Sequence, residues 1–116
     1  MRAFVTGGMG CLGAHLGSGL LRQGHHVHVF DQGPGSTIDS SVPEGSVMLK
    51  GDLLDEMSIR AAVSEAKPDV VFHLAAVVNL DRSLDIADAC MRVNVLGTLN
   101  LLRAVSYTHL RAHETR

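Results

Sequence analysis

Apolar residues cluster in short blocks separated by glycine-rich or polar punctuation. The first block, Arg2 to Thr6 (RAFVT), stops at Gly7 and reads as a buried strand ending in a turn. From Cys11 to Gln23, Leu12, Leu16 and Leu20 recur every four residues and mark one face of a helix, which Gly24 closes. Gly17 and Gly19 weaken that helix intrinsically, so packing against a sheet has to hold it. His26 to Asp31 (HVHVFD) alternates and is rich in β-formers, giving a second strand. Residues 32–46 (QGPGSTIDSSVPEGS) are turn formers throughout and make a loop. Val47 to Lys50 is a third strand, Met57 to Ala66 a helix that stops before Pro68, and Asp69 to His73 a fourth strand. That fourth block (DVVFH) is a continuous apolar run, suited to burial on both faces. The longest helix comes last: Ile86, Cys90, Val93, Gly97 and Leu101 keep a three-to-four spacing from about Arg82 to Ala104.

Strands alternating with helices imply right-handed crossovers and a parallel sheet. The expected fold class is α/β, the N-terminal half of a Rossmann-type doubly wound sheet in strand order 3-2-1-4, truncated after the helix that ends at Ala104. Composition agrees. The 116 residues suffice for one domain or part of one, and the only aromatics are Phe4, Phe30, Phe72 and Tyr107. Such a core is built from Val, Leu, Ala and Met with much Gly, as in layered α/β folds.

A formal charge of −2, with no lysine or arginine run, gives no reason to expect a nucleic-acid or anionic-membrane surface. No apolar run approaches the ~20 residues of a membrane span. The opening MRAFVTGG is a strand running into glycines and not a signal peptide. Cys11 and Cys90 lie far apart without framework spacing, which fits free thiols in a reducing compartment. A soluble cytoplasmic protein is expected.

The chemistry starts where the first strand meets the first helix, in Thr6-Gly-Gly-Met-Gly-Cys-Leu-Gly13. Gly8, Gly10 and Gly13 satisfy G-x-G-x-x-G, and Gly7, Gly10 and Gly13 satisfy G-x-x-G-x-x-G. The early glycines permit a tight turn and close approach to a pyrophosphate, and Gly13 lets the helix sit against the strand. Free N–H groups at the helix start, at Cys11 and Leu12, then face the anion with help from the helix dipole. Asp31 ends the next strand, eighteen residues past Gly13, close to the ~20 of the dinucleotide fingerprint. A carboxylate there accepts both hydroxyls of an adenosine ribose and repels a 2′-phosphate, so NAD is expected over NADP. No Gly-Lys-Ser/Thr follows the glycines, which excludes a P-loop.

With those residues in place, the chain resembles the extended short-chain dehydrogenase/reductases, the family of NAD-dependent nucleotide-sugar epimerases and dehydratases. TGGMGCLGAHL is similar to that family's TGGxGxxGxHL opening, with Cys11 where an aromatic is commoner and Met9 where a small residue is. GDLLD at 51–55 matches G-D-x-x-D, which implies that Asp52 contacts the adenine and that Leu53 lies beside its ring. FHLAA at 72–76 matches the segment after the fourth strand, implying that Leu74, Ala75 and Ala76 line the cofactor. NVLGTLNLL at 94–102 matches N-x-x-G-T-x-N-L-L, with the family asparagine at Asn94, a residue that can also bridge strand ends. The resemblance implies hydride transfer between a sugar carbon and the nicotinamide, with a tyrosine as base in a Tyr-x-x-x-Lys pair. It further implies a small-molecule nucleotide-sugar substrate and a homodimeric full-length protein.

Other features carry less. His25, His26 and His28 form an HHxH cluster without further converging ligands, so no metal site is expected. His73 is expected to be packed and not catalytic. Asp81, Asp85 and Asp88 read as a solvated face compatible with the helix dipole.

The one tyrosine, Tyr107, stands four places before Arg111, but it follows the N-x-x-G-T helix too closely to be the catalytic residue. Arginine is also a poor substitute for the compact charge of lysine. VSYTHLRAHETR back-translates into a reading frame of a transposase-type sequencing adapter. Residues 105–116 are therefore expected to be a non-native tail, and residues 1–104 a partial NAD-binding domain without catalytic residues. Such a piece would leave the fourth strand as an open edge and one face of the last helix uncovered. The competing readings are a non-catalytic dinucleotide-sensing or scaffold protein of the same fold, and a Rossmann-like methyltransferase.

Overall fold

The computed structural model describes residues 1–7, 11–31, 44–75 and 92–114, the side chains of Cys11, Val93 and residues 109–114 excepted. Four parallel strands form one sheet in the order β3-β2-β1-β4: β1 is Arg2–Thr6, β2 His26–Asp31, β3 Val47–Lys50 and β4 Val70–His73. This is the order the alternating pattern predicts. The register places Thr6 beside Phe30 on one side and beside His73 on the other, and Asp31 beside Lys50. All four strands therefore finish at one edge of the sheet, where ligands bind in open α/β folds.

Each face of the sheet has its own core. On one face Phe4, Phe30 and the partly buried Leu49 and Val71 pack against Ile59, Ala62, Val63 and Ala66 of helix α2 (Glu56–Ala66), and against Leu101 and Ala104 of helix α3 (Thr98–Glu114). The Phe4 and Phe30 rings stack with centroids 5.9 Å apart. On the other face Val5, Val27 and Val29 meet Leu20 and Leu21 of helix α1 (Cys11–Arg22), with Phe72 and Leu74 alongside. Alternate residues of β1 and β2 thus serve opposite cores, and each fully buried large side chain contributes about 1.5–3 kcal/mol.

Helix α1 departs from the pattern in one respect. The spacing predicts Leu12 on the apolar face, yet it is 68 % exposed, whereas Gly13 and Gly17, four residues apart, are buried. The missing side chains let the helix backbone approach the sheet, and Leu16, Leu20 and Leu21 pack half-buried beside that contact. Gly17, which weakens α1 as an isolated helix, lies on its buried side with Gly13, whereas Gly19 does not.

Helix α2 starts one residue before the predicted Met57. The Asp55 side chain accepts from the N–H groups of Met57 (3.1 Å) and Ser58 (3.4 Å), an N-cap that fixes the start. It ends at Lys67, whose left-handed backbone (φ 47°) turns its N–H to the Val63 carbonyl. Arg2 Nε also donates to the Ala66 carbonyl at 2.8 Å, placing a cation at the helix's negative end.

The last helix is π-helical from Arg92 to Gly97 before becoming α3, and residues 82–91 lie outside the described part. Although the regular apolar spacing ends at Ala104, α3 continues to Glu114. Val105 packs partly buried against the core, the Thr108 hydroxyl donates to the Ala104 carbonyl, and the Arg60 guanidinium sits 5.0 Å over the Tyr107 ring. Val95, Leu96, Leu99 and Leu102 are exposed.

Candidate functional site

At the carboxyl edge of the sheet, β1 ends in a turn that only glycine fits. Gly7 has φ +69°, and its N–H donates to the Phe30 carbonyl at 3.0 Å, tying the turn to the residue before Asp31. A Cβ at Gly7 would lie 2.8 Å from the Ala75 nitrogen and 2.9 Å from its Cα. The turn, the end of β2 and the segment after β4 therefore meet at backbone contact. Helix α1 opens toward this edge with its first N–H groups unpaired by helix geometry, while Asp31 stands half-buried at the end of β2. An anion held by backbone at the turn, with a carboxylate on the neighbouring strand for vicinal hydroxyls, is the pairing a dinucleotide requires. The residues present fit that group.

A second wall follows β3. The Gly51 N–H donates to the Asp31 carbonyl at 3.0 Å, continuing the β2–β3 ladder one step past Lys50. A Cβ at Gly51 would collide with Ser58 Oγ and lie 2.7 Å from the Phe30 ring, so this position too requires glycine. Asp52 accepts the Leu54 N–H at 3.0 Å, which closes a tight local turn and leaves Leu53 buried at 6 % exposure. From α3, Asn100 Nδ2 donates to the Leu53 carbonyl at 2.9 Å, and a Cβ at Gly97 would lie 3.0 Å from Leu53 Cβ.

The third wall is a hydrogen-bonded chain. Thr6 Oγ1 accepts from the N–H groups of Leu74 (3.1 Å) and Ala75 (3.2 Å) and contacts His73 Nδ1 at 2.6 Å. The far ring nitrogen, Nε2, lies 2.8 Å from Thr98 Oγ1, which donates to the Asn94 carbonyl at 2.6 Å. Burial holds the His73 pKa below its ordinary value, so the ring is neutral at neutral pH.

Comparison with known proteins agrees with this geometry. Residues 4–116 match the sequence profile of the GDP-mannose 4,6 dehydratase family. The chain belongs to that family. It is 34 % identical over 115 residues to a UDP-glucose 4-epimerase of Mycolicibacterium smegmatis, covering 96 % of this chain and 36 % of the relative. It is 39 % identical over 107 residues to a 3β-hydroxysteroid dehydrogenase/Δ5→4-isomerase of Mycobacterium tuberculosis, covering 89 % and 28 %. Among solved structures it superposes on the UDP-glucose 4-epimerase of Thermus thermophilus in complex with NAD. There the TM-score is 0.84 at 35 % identity, covering 94 % of this chain and 35 % of the other. The chain thus spans about a third of the length of the relatives it matches.

In this member of the dehydratase family, Gly7, Gly13, Asp31, Leu74 and Ala75 come from elements that end at the same sheet edge, and Asp52 and Leu53 form the turn after β3. Leu12 has an exposed side chain, and its backbone N–H lies in the first turn of α1, where helix geometry provides no intrahelical acceptor. Asn94 is half-buried in the π-helical turn, and its carbonyl is engaged by Thr98. Cys11 opens α1, while Gly8, Gly10 and Ala76, with Asp81, Asp85, Asp88 and Cys90, lie outside the described residues.

The histidine cluster does not converge. His25 Nδ1 lies 3.3 Å from the terminal amine, His26 is exposed and His28 is buried. Among the described residues no group of three His, Cys, Asp or Glu side chains is placed to hold a metal, and no helix is long and apolar enough to cross a membrane.

Sequence reasoning missed Thr6, Thr98 and Asn100 as residues that build the site. The signal was present in the motif letters, since Thr6 opens TGG and Thr98 and Asn100 belong to G-T-x-N. Only the fold brings them to His73 and Leu53.

Proposed function

We propose that this chain is the dinucleotide-binding portion of an NAD-dependent nucleotide-sugar epimerase or dehydratase, and that it favours NAD over NADP through Asp31. The observation that carries the reading is the contact of Gly7 N–H with the Phe30 carbonyl, which sets the glycine turn beside the residue preceding Asp31. The glycine turn and the start of α1 hold the pyrophosphate by backbone N–H groups, and Asp31 accepts from the adenosine ribose hydroxyls. As the family resemblance implies, Asp52 and Leu53 are assigned to the adenine, and Leu74, Ala75, Ala76 and Asn94 to lining the cofactor. When bound, the cofactor supplies hydride exchange with a sugar carbon, and the chain's own residues orient it and exclude water. The tyrosine and lysine that the family resemblance implies are not among residues 1–104, which we assign as the native portion, with 105–116 an adapter-derived tail. A nucleotide-sugar substrate and a homodimeric, cytoplasmic full-length protein belong to the same proposal. The 39 % identity to a hydroxysteroid dehydrogenase supports a second substrate class, a hydroxysteroid, on the same cofactor-binding half.

Calorimetric titration of the full chain with NAD and NADP, for wild type and Asp31→Ala, tests the assignment. Wild type is expected to bind NAD more tightly, and Asp31→Ala to lose about ten- to a hundredfold in NAD affinity and to narrow the gap to NADP, the range for losing charge-assisted hydrogen bonds. An unchanged preference in Asp31→Ala would remove Asp31 from its role.

A further inference from the structure

We infer that His73 is a positioning residue for the dinucleotide: held as the Nε2–H tautomer, its ring locks the glycine turn, the Leu74–Ala75 segment and the start of α3 into one rim. The inference rests on the dinucleotide reading above and adds a residue and a protonation state to it. Each proton in the chain of contacts can be placed. The Asn94 carbonyl can only accept, so the Thr98 hydroxyl proton is committed to it across 2.6 Å. Thr98 Oγ1 must then accept from His73, which puts a hydrogen on Nε2. At the other end, Thr6 Oγ1 accepts the Ala75 N–H at 3.2 Å and shares the Leu74 N–H with the Thr6 carbonyl, each at 3.1 Å, and its own proton is directed to Nδ1 at 2.6 Å. The neutral Nε2–H tautomer satisfies every donor and acceptor in this chain of contacts.

The rim is where the cofactor segments meet. Thr6 precedes Gly7, so the ring fixes the start of the turn, and the same hydroxyl holds the two residues whose backbone lies against Gly7. On the far side, the ring anchors the junction where the π-helical turn passes into α3, which also carries Gly97 and Asn100 against Leu53. A charged His73 would point an Nδ1–H at an oxygen that already accepts from Ala75 and shares the Leu74 N–H. That contact would weaken and loosen the hold of the hydroxyl on Ala75, while the Leu74 N–H keeps the Thr6 carbonyl.

The ring's hydrogen-bond partners, Thr6 from β1 and Thr98 from α3, are not titratable. No charged group among the described residues shifts its titration, and burial alone does.

The test uses the full chain labelled with nitrogen-15 at histidine, together with NAD titration of wild type, Thr98→Val and Thr98→Ser. In wild type, the ring nitrogens of His73 should report a hydrogen on Nε2 and an accepting Nδ1 at neutral pH. Thr98→Val keeps the shape but removes the acceptor, and should mix the tautomers and weaken NAD binding about tenfold. Thr98→Ser should restore both readings. A hydrogen on Nδ1 in wild type overturns the inference whether or not any variant folds. Altered tautomers in Thr98→Val with unchanged NAD affinity overturn the positioning role while leaving the dinucleotide reading intact. Failure of wild type to bind NAD sinks that reading itself.

Discussion

Alanine at Gly7 tests whether the close approach at the sheet edge is a real constraint, and Gly24 provides the control. Both glycines are left-handed, Gly7 at φ +69° and Gly24 at φ +86°. An L-residue in that region costs about 1–2 kcal/mol, offset by about 0.4–1 kcal/mol because alanine restricts the unfolded chain. Gly24→Ala meets nothing within 4 Å, so its expected loss is that net backbone cost, about 1 kcal/mol. Gly7→Ala carries the same cost and also drives a methyl to 2.8 Å from the Ala75 nitrogen. The obstacle is backbone on both sides, so relief requires the turn and the Leu74–Ala75 segment to part, at about 1–3 kcal/mol for overpacking. The expected total for Gly7→Ala is about 2–4 kcal/mol. Urea unfolding of the full chain followed by far-ultraviolet circular dichroism reads the difference in midpoint, and suits a chain with no tryptophan. Equal midpoint shifts for the two variants, at equal slopes, would refute the close-approach argument.

Two further outcomes follow from local structure. Asp55→Ala removes the acceptor of the Met57 and Ser58 N–H groups and should lower stability by about 1 kcal/mol, with Asp55→Asn recovering most of it; urea midpoints decide. Acid should also weaken the fold through its histidines. His28 is held below its ordinary pKa by burial first and then by Arg2, with Glu65 opposing and His26 adding, and His73 by burial alone. Folding lowers both values, so below ~6.5 the unfolded chain binds more protons and stability rises with pH. Stability should be flat above that value and fall as pH drops through it toward the folded pKa values. His28→Leu, which deletes a buried Nδ1 that has no partner among the described residues, should shrink that acid loss, and an unchanged pH slope would refute the assignment.

The strand ends were legible in the chain because parallel strands buried on both faces are written as short apolar blocks stopped by glycine or charge. Thr6-Gly7, Asp31 and Lys50-Gly51 fall at such stops, and the sheet edge they define with His73 is where the expected cofactor residues gather. Helix faces were less legible. Period-four spacing counts Leu12 as apolar face, but what seats α1 is an absence, the missing side chains of Gly13 and Gly17, which no hydrophobicity pattern records. The turn at Gly51–Asp55 lay between these cases. Its family spelling pointed to Asp52, yet Gly51 is fixed by the Phe30 ring and Asp55 by the start of α2. The hydrogen bonds of the third wall were not legible, although Leu74 and Ala75 were expected there, because Thr6, His73 and Thr98 are separated by 67 and 25 residues along the chain and meet only in the fold. Motif letters mark such residues without saying what they touch. Their contacts show that Asn100 of G-T-x-N holds the backbone of the turn after β3 and Thr98 holds the histidine that ends β4, so the last helix ties both segments together. Gly97, the last residue of the π-helical segment, and Thr98 and Asn100, in the first turn of α3, make these contacts within about one turn.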